Sequence, residues 1–312
     1  MIRRASTVVP LLLAMGWAPA GRAAGASGGP PFVSHDREAP ALRLRLALRA
    51  RFGVTTAPFY TESLPEVRGQ GFIGTLSGTY RLAADAEVGL VLPAAALQVR
   101  QPAGAYVNEL TRGNPALFAA DEGIVREGSE STLRYIARLT VALPLSERGP
   151  SGSLMSNRAL AIASALEGWR EQELYAPGRL SIVPCVGLVY DRARISAEAS
   201  LKLPVLFRLS RAALPSGTET HTVGFTPALH TSLAVRVTGW FVPALRADLV
   251  VDALPPVEQA RGPTRAALVV LEPELAFRLS RHLGLAVDFM VPVAGTLAGT
   301  TYAGSLGLTA LW

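Results

Sequence analysis

Arginine recurs at Arg43, Arg45, Arg49 and Arg51, always on the same parity of one short run. A guanidinium grips carboxylates and phosphates through a planar fork of N–H donors, so the row is a candidate anion-binding surface. Arg134 and Arg138 share a parity further along. Glu272 and Glu274 are paired carboxylates, with Arg246 and Asp248 expected on the adjacent strand and Arg278 on the same face. Such carboxylates do acid–base work or brace a wall with salt bridges. No pocket or perturbing apolar wall is legible around them, so bracing is expected. His230 and Ser232 set a base two residues from a nucleophile. No Asn or acid at a matching place identifies the third group of a triad, so a hydrogen-bonded structural histidine is expected. His35, His221, His230 and His282 are scattered, and Cys185 is the only cysteine. No metal site, disulfide, phosphate loop or nucleotide motif is legible, so no cofactor is expected.

The arginine row sits in Leu42–Val54, LRLRLALRARFGV. Leu42, Leu44, Leu46, Leu48, Ala50, Phe52 and Val54 take the opposite parity. A period of two specifies a β-strand with one apolar and one charged face. A soluble sheet would bury the leucines under a second layer. A membrane barrel would turn them to lipid and the arginines to a wet lumen.

The rhythm continues through Gly71–Leu82, Glu87–Val99, Gly113–Val125, Thr132–Leu145, Arg179–Tyr190, Ile195–Leu209, Val223–Val235, Phe241–Val251, Ala266–Leu279, Leu283–Val293 and Thr301–Trp312. Thr55–Gln70 reads as a polar loop. Counting the weakly patterned Gly113–Val125 gives twelve strands. With that even number every short turn falls at one end, every long loop at the other, and both termini are periplasmic. The longest insertion, Ser146–Gly178, contains a helical pattern over Ser156–Gln172. Ile162, Leu166 and Trp169 share its apolar face, and Pro177-Gly178 stop it. This helix is expected to cap or enter the lumen.

Charge separates the alternatives. In the well-patterned strands no charged residue takes the apolar parity. A basic residue facing lipid at the bilayer midplane costs about 2–4 kcal/mol, so a lipid face must be free of charge. Prolines oppose the reading, because each removes a ladder donor and a barrel has no edge to hide it. Pro273, near mid-strand, is the hardest to place.

The chain opens MIRR, then an apolar stretch broken by Pro10, then small residues. Residues 1–26 are expected to be a secretory signal peptide, being too short in apolar length to span. Residues 27–41 are expected to be a disordered periplasmic leader, and 42–312 the barrel. The signal removes Arg3, Arg4 and Arg22 and no acid, lowering the formal charge from +6 to +3. The basic residues are spread singly along strands of an exported chain, so nucleic acid is not an expected partner.

The last strand, TYAGSLGLTALW, places Tyr302, Gly304, Leu306, Leu308, Ala310 and Trp312 on one face. It resembles the C-terminal assembly signal of bacterial outer-membrane β-barrels, with Trp312 where that family usually has Phe. The resemblance implies outer-membrane localisation and recognition of Tyr302 and Trp312 by the barrel-assembly machinery. The order GNPALF, then a strand ending Ala142-Leu143-Pro144-Leu145, then a long loop and a strand, resembles transporter-like barrels of the family linked to phenol-degradation pathways. That likeness covers Gly113 to Tyr190. His230-Thr231-Ser232 resembles the His-x-Ser pair of outer-membrane lipid-cleaving barrels. There the pair faces lipid, whereas Phe225, Leu229 and Leu233 here turn it inward.

The expectation is a monomeric, all-β, twelve-stranded antiparallel up-and-down barrel with one helix in a long extracellular loop. It would be surrounded by outer-membrane lipid and lipopolysaccharide, and act as a passive channel for small, anionic or aromatic-acid solutes. The arginine row would be an unpaired selectivity ladder, with bracing by loop acids as the other reading. The alternatives are a lipid hydrolase using His230 and Ser232, and a plugged structural or surface-interaction barrel.

Overall fold

The computed structural model describes residues 44–61, 64–83, 86–100, 104–146, 153–209, 222–253, 266–295 and 300–312. The signal, the leader and Arg43 lie outside them. The strands are β1 (Leu44–Thr61), β2 (Leu64–Arg81), β3 (Ala86–Arg100), β4 (Tyr106–Arg112), β5 (Ala116–Glu127), β6 (Ser131–Ala142), β7 (Arg179–Arg192), β8 (Ile195–Lys202), β9 (Val205–Arg208), β10 (Val223–Phe225), β11 (Ala228–Val235), β12 (Phe241–Asp252), β13 (Ala266–Arg278), β14 (Leu283–Gly295) and β15 (Thr300–Leu311). Two helices, α1 (Ser153–Leu166) and α2 (Gln172–Tyr175), lie between β6 and β7.

Antiparallel pairing runs β7–β6–β5–β3–β2–β1–β15–β14–β13–β12–β11–β8 and returns to β7. That is a closed ring of twelve strands, with β4, β9 and β10 as continuations past local breaks. Closure at β1–β15 rules out a two-layer sandwich. Leu44 and Trp312 exchange both backbone hydrogen bonds there, at 3.0 and 2.9 Å.

The parity of β1 holds from Leu44 to Thr55. Leu44, Leu46, Leu48, Phe52 and Val54 are 38–50% exposed, while Arg51 on the other parity is fully buried. Large apolar side chains on the outside of a closed ring need lipid as their solvent. Phe52 packs against Phe72 across the β1–β2 pair, with tilted rings whose centroids are 4.9 Å apart. Tyr80, Tyr190, Trp240 and Trp312 are exposed near the end that carries the short turns. Aromatic side chains of this kind mark a membrane interface, and the short turns assign that end to the periplasm. Asp121 departs from the charge rule: it sits on the outward parity near that end, where Tyr135 donates a 2.7 Å hydrogen bond to it.

Two expectations are corrected. Thr55–Gln70 is not a loop: β1 and β2 continue as a hairpin to Thr61 and Leu64, pairing Thr55 with Gly69 and Ala57 with Val67. Beyond the lipid the ladder needs backbone bonds but no apolar face, so polar sequence does not end it. The expected helix over Ser156–Gln172 ends at Leu166. Gly168 and Trp169 take positive φ (63° and 59°). Trp169 N–H donates to Ser164 O and Gly168 N–H to Ala165 O, the paired bonds of a Schellman cap.

The prolines mark interruptions. Pro115 lies in the β4/β5 break, Pro204 in the β8/β9 break and Pro227 in the β10/β11 break. Pairing of β13 with β14 lapses between Leu271 and Glu274, and Pro273 falls in that gap.

Candidate functional site

The lumen is built in three layers. In the extracellular half most of the inward residues are apolar or small, Ile73, Ala95, Leu97, Val99, Val250, Leu268, Val270, Met290 and Ala303, with the buried Thr55, Glu109, Thr111 and Thr301 among them. The apolar ones form one buried cluster with Ala159, Leu160, Ile162, Ala163 and Leu166 of α1. The inserted helix therefore fills this half of the barrel. Gly53 and Gly69 make room for it. A Cβ at Gly53 would lie 2.6 Å from Leu166 Cδ2, and one at Gly69 would collide with Ile162 Cδ1. Trp169 joins the cluster from the turn and not from the helix face.

The middle layer is ionic. Arg49 donates to Glu272 (3.0 Å), Asp288 (3.1 Å) and Ser305 (3.1 Å). Arg51 bonds Glu272 and Asp288, lies 3.3 Å from Glu167, and donates to the Leu166 carbonyl. Arg170 pairs with Asp248 (2.8 Å) and Glu272, and Arg246 with Glu274. Lys202 holds Glu171 (3.1 Å), Glu173 (2.6 Å) and the Arg170 carbonyl. Arg49 and Arg51 are thus not unpaired, which corrects that expectation. Their acidic partners come from β13 and β14, beyond the strand next door, and from the insertion. Nearer the periplasmic end Arg45 pairs with Glu87 (3.6 Å), and Arg134 with Glu122 and Asp191. Arg278, at the periplasmic end of β13, has a partner of its own.

The break between β4 and β5 grips the insertion. Asn114 is fully buried and donates from Nδ2 to the carbonyls of Glu173 (3.1 Å) and Ala176 (2.7 Å). Its backbone N–H donates to Leu174 O, and its Oδ1 accepts from Ser146 N–H. The carbonyls that end α2 have no partners within the helix, and this side chain supplies them.

Below the insertion lies a cavity of about 170 Å³, which extends to Arg45, Thr79, Ser196 and Thr309 near the periplasmic rim. Arg138, Phe118, His230 and Ser232 line it. His230 Nδ1 lies 2.6 Å from Asp248 Oδ1. The reading of the pair as lacking an acid is thereby corrected: β11 and β12 pair His230 directly with Asp248. Among the described residues no hydrogen bond joins His230 to Ser232, and Asp248 also carries Arg170.

The sequence reading missed the insertion's polar residues Glu167, Arg170, Glu171 and Glu173. Their signal was the run EGWREQE directly after an apolar helix. It also missed Asn114, whose signal was a Gly-Asn-Pro break inside an alternating strand.

No family model and no curated protein matches this chain. An outer-membrane channel from Pseudomonas putida F1 is similar in structure, with TM-score 0.62 at 11% identity over 88% of this chain and 96% of that one. The translocator domain of the autotransporter NalP from Neisseria meningitidis gives TM-score 0.47 at 10% identity, covering 86% and 88%. The KdgM porin gives 0.42 at 8% identity, covering 85% and 99%. The first likeness supports the barrel architecture. A closed antiparallel barrel with an apolar outer wall places this chain in the outer membrane.

Proposed function

We propose that this barrel conducts small solutes across the outer membrane and is closed at rest by the β6–β7 insertion. One observation carries the reading: an apolar, helix-filled outer half stands above a cavity, lined by both charged and apolar side chains, that extends toward the periplasmic rim. A purely structural barrel has no need of a lumen filled in one half and hollow in the other. The similar Pseudomonas protein is described as an outer-membrane channel, which agrees with this role. Small organic acids are the solute class we assign: Arg45, Arg49, Arg170, Lys202 and Arg246 of the cavity wall are held by carboxylates, which leaves Arg138 as the lining cation with no carboxylate within ion-pair distance among the described residues. The ion pairs bind the insertion to the wall, so opening requires exchanging those partners for solute or water.

The role requires no cofactor. Lipid and lipopolysaccharide contact the wall, and we assign Tyr302 and Trp312 to recognition by the assembly machinery. The lipid-hydrolase alternative fares less well, since His230 and Ser232 line the cavity and face away from lipid. Liposome swelling tests the transport reading. Vesicles carrying a variant without 153–178 should admit small organic acids faster than vesicles carrying the whole chain. Equal, background swelling for both would refute it.

A further inference from the structure

We propose that Arg138, stacked on Phe118, is a binding station for small monocarboxylates with an apolar body. This deepens the channel reading and rests on it, since the ligand is taken to reach the site through the lumen.

Arg138 differs from the other cations of the ionic layer. Arg49, Arg51, Arg170, Lys202 and Arg246 each have a carboxylate within ion-pair distance. Among the described residues Arg138 has none. Its Nε donates to Thr140 Oγ1 at 3.1 Å, and its guanidinium carbon lies 3.8 Å from the centroid of the Phe118 ring. The stacking and the Thr140 bond together fix the plane of the fork. Among the described residues its terminal nitrogens have no hydrogen-bond acceptor, and the residue lines the cavity. A fork preset in this way accepts both oxygens of one carboxylate at little ordering cost.

The walls beside it set the rest of the ligand. Phe118, Val91, Ala116 and Val183 line the same cavity and offer apolar contact. At about 170 Å³ the space lies below the about 300–1,000 Å³ of drug-sized pockets, so the acid must be small. Arg138 shares a lateral row with Cys185 and Lys202. Glu171 and Glu173 already occupy Lys202, and their field reaches Arg138. A ligand with a second negative charge would meet these acids, which disfavours dicarboxylates and phosphate.

Calorimetric titration of the refolded, full-length barrel tests this, with benzoate and hexanoate as probes. Acetate (no body), benzyl alcohol (no charge) and phthalate (two charges) are the controls. Benzoate and hexanoate should bind saturably at one site, and each control should bind at least about tenfold more weakly. Arg138→Gln should weaken benzoate about tenfold or more, and Arg138→Lys by a similar factor because the fork is lost. Phe118→Leu should weaken it less. Heat-modifiable gel migration establishes that each variant is folded; if Arg138→Gln is not, Arg138→Lys decides. Unchanged benzoate binding in the folded Arg138 variants, or acetate binding as tightly as benzoate, would overturn the station. Swelling through the variant without 153–178, with no benzoate binding to the whole barrel, would overturn the station and leave the channel reading intact. Arg138-dependent binding to a barrel that admits no solute in any form would uphold the station and overturn the channel.

Discussion

Arg51 on the barrel wall donates from Nη1 to the carbonyl of Leu166, the last residue of α1, at 3.0 Å. The C-terminal carbonyls of a helix lack partners, and a cation there also meets the negative end of its dipole. A wall residue thus caps the helix that fills the lumen. The same guanidinium holds Glu272 and Asp288, so wall bracing and insertion docking share one side chain. Arg51→Met should leave two buried carboxylates short of a partner. Breaking a buried pair on one side costs about 3–5 kcal/mol. Urea unfolding in lipid should show a loss of that order, and a variant as stable as the parent would contradict the assignment.

Asn114 holds the other end of the insertion. Asn114→Ala removes the donors to the Glu173 and Ala176 carbonyls. Buried acceptors left unsatisfied cost about 1–3 kcal/mol. Limited proteolysis should then cut within 153–178 faster in this variant, with the barrel strands still protected. Equal cleavage rates would show that the grip adds nothing.

Docking should depend on pH through α2. Burial, with Glu171 beside it, pushes the Glu173 carboxyl up to about 7 despite the pull of Lys202. The folded value lies above the unfolded one. The stabilisation from this group is therefore complete below the usual carboxylate range and is lost as pH rises through about 7. The insertion should be more protected from protease at pH 5.5 than at pH 8, and Glu173→Gln should flatten that difference. A parent that docks more tightly at pH 8 would reverse the sign and refute the account.

Deleting Trp312 removes both backbone bonds to Leu44 at the β1–β15 seam. It also removes the terminal aromatic. The amount of heat-modifiable barrel in the outer membrane should fall several-fold. Unchanged levels would refute the assembly role of the last strand.

The wall was legible in the sequence because lipid imposes a strict parity and the short turns fix the register. The pairing of Asp248 with His230 went unread, although both lie nine residues from Gly239 in the β11–β12 turn. The partners of Arg49 and Arg51 were not legible. Glu272 lies on β13 and Glu167 in an insertion 118 residues away from Arg49 in sequence, and strand order alone does not say what meets across a lumen. The helix end was hidden for a local reason. Trp169 continues the apolar spacing of Ile162 and Leu166, yet its φ of 59° places it past the cap.

Single-channel conductance in a planar bilayer tests the central claim, closure by the insertion, most directly. The whole barrel should be silent or open only briefly, and the variant without 153–178 should conduct steadily. Should that deletion fail to fold, a Gly69→Cys, Ile162→Cys double variant serves instead. Its disulfide would lock the helix to the wall, and reduction should raise the frequency of openings. Steady conductance by the intact barrel, matched by the deletion variant and unchanged by the disulfide, would contradict the account.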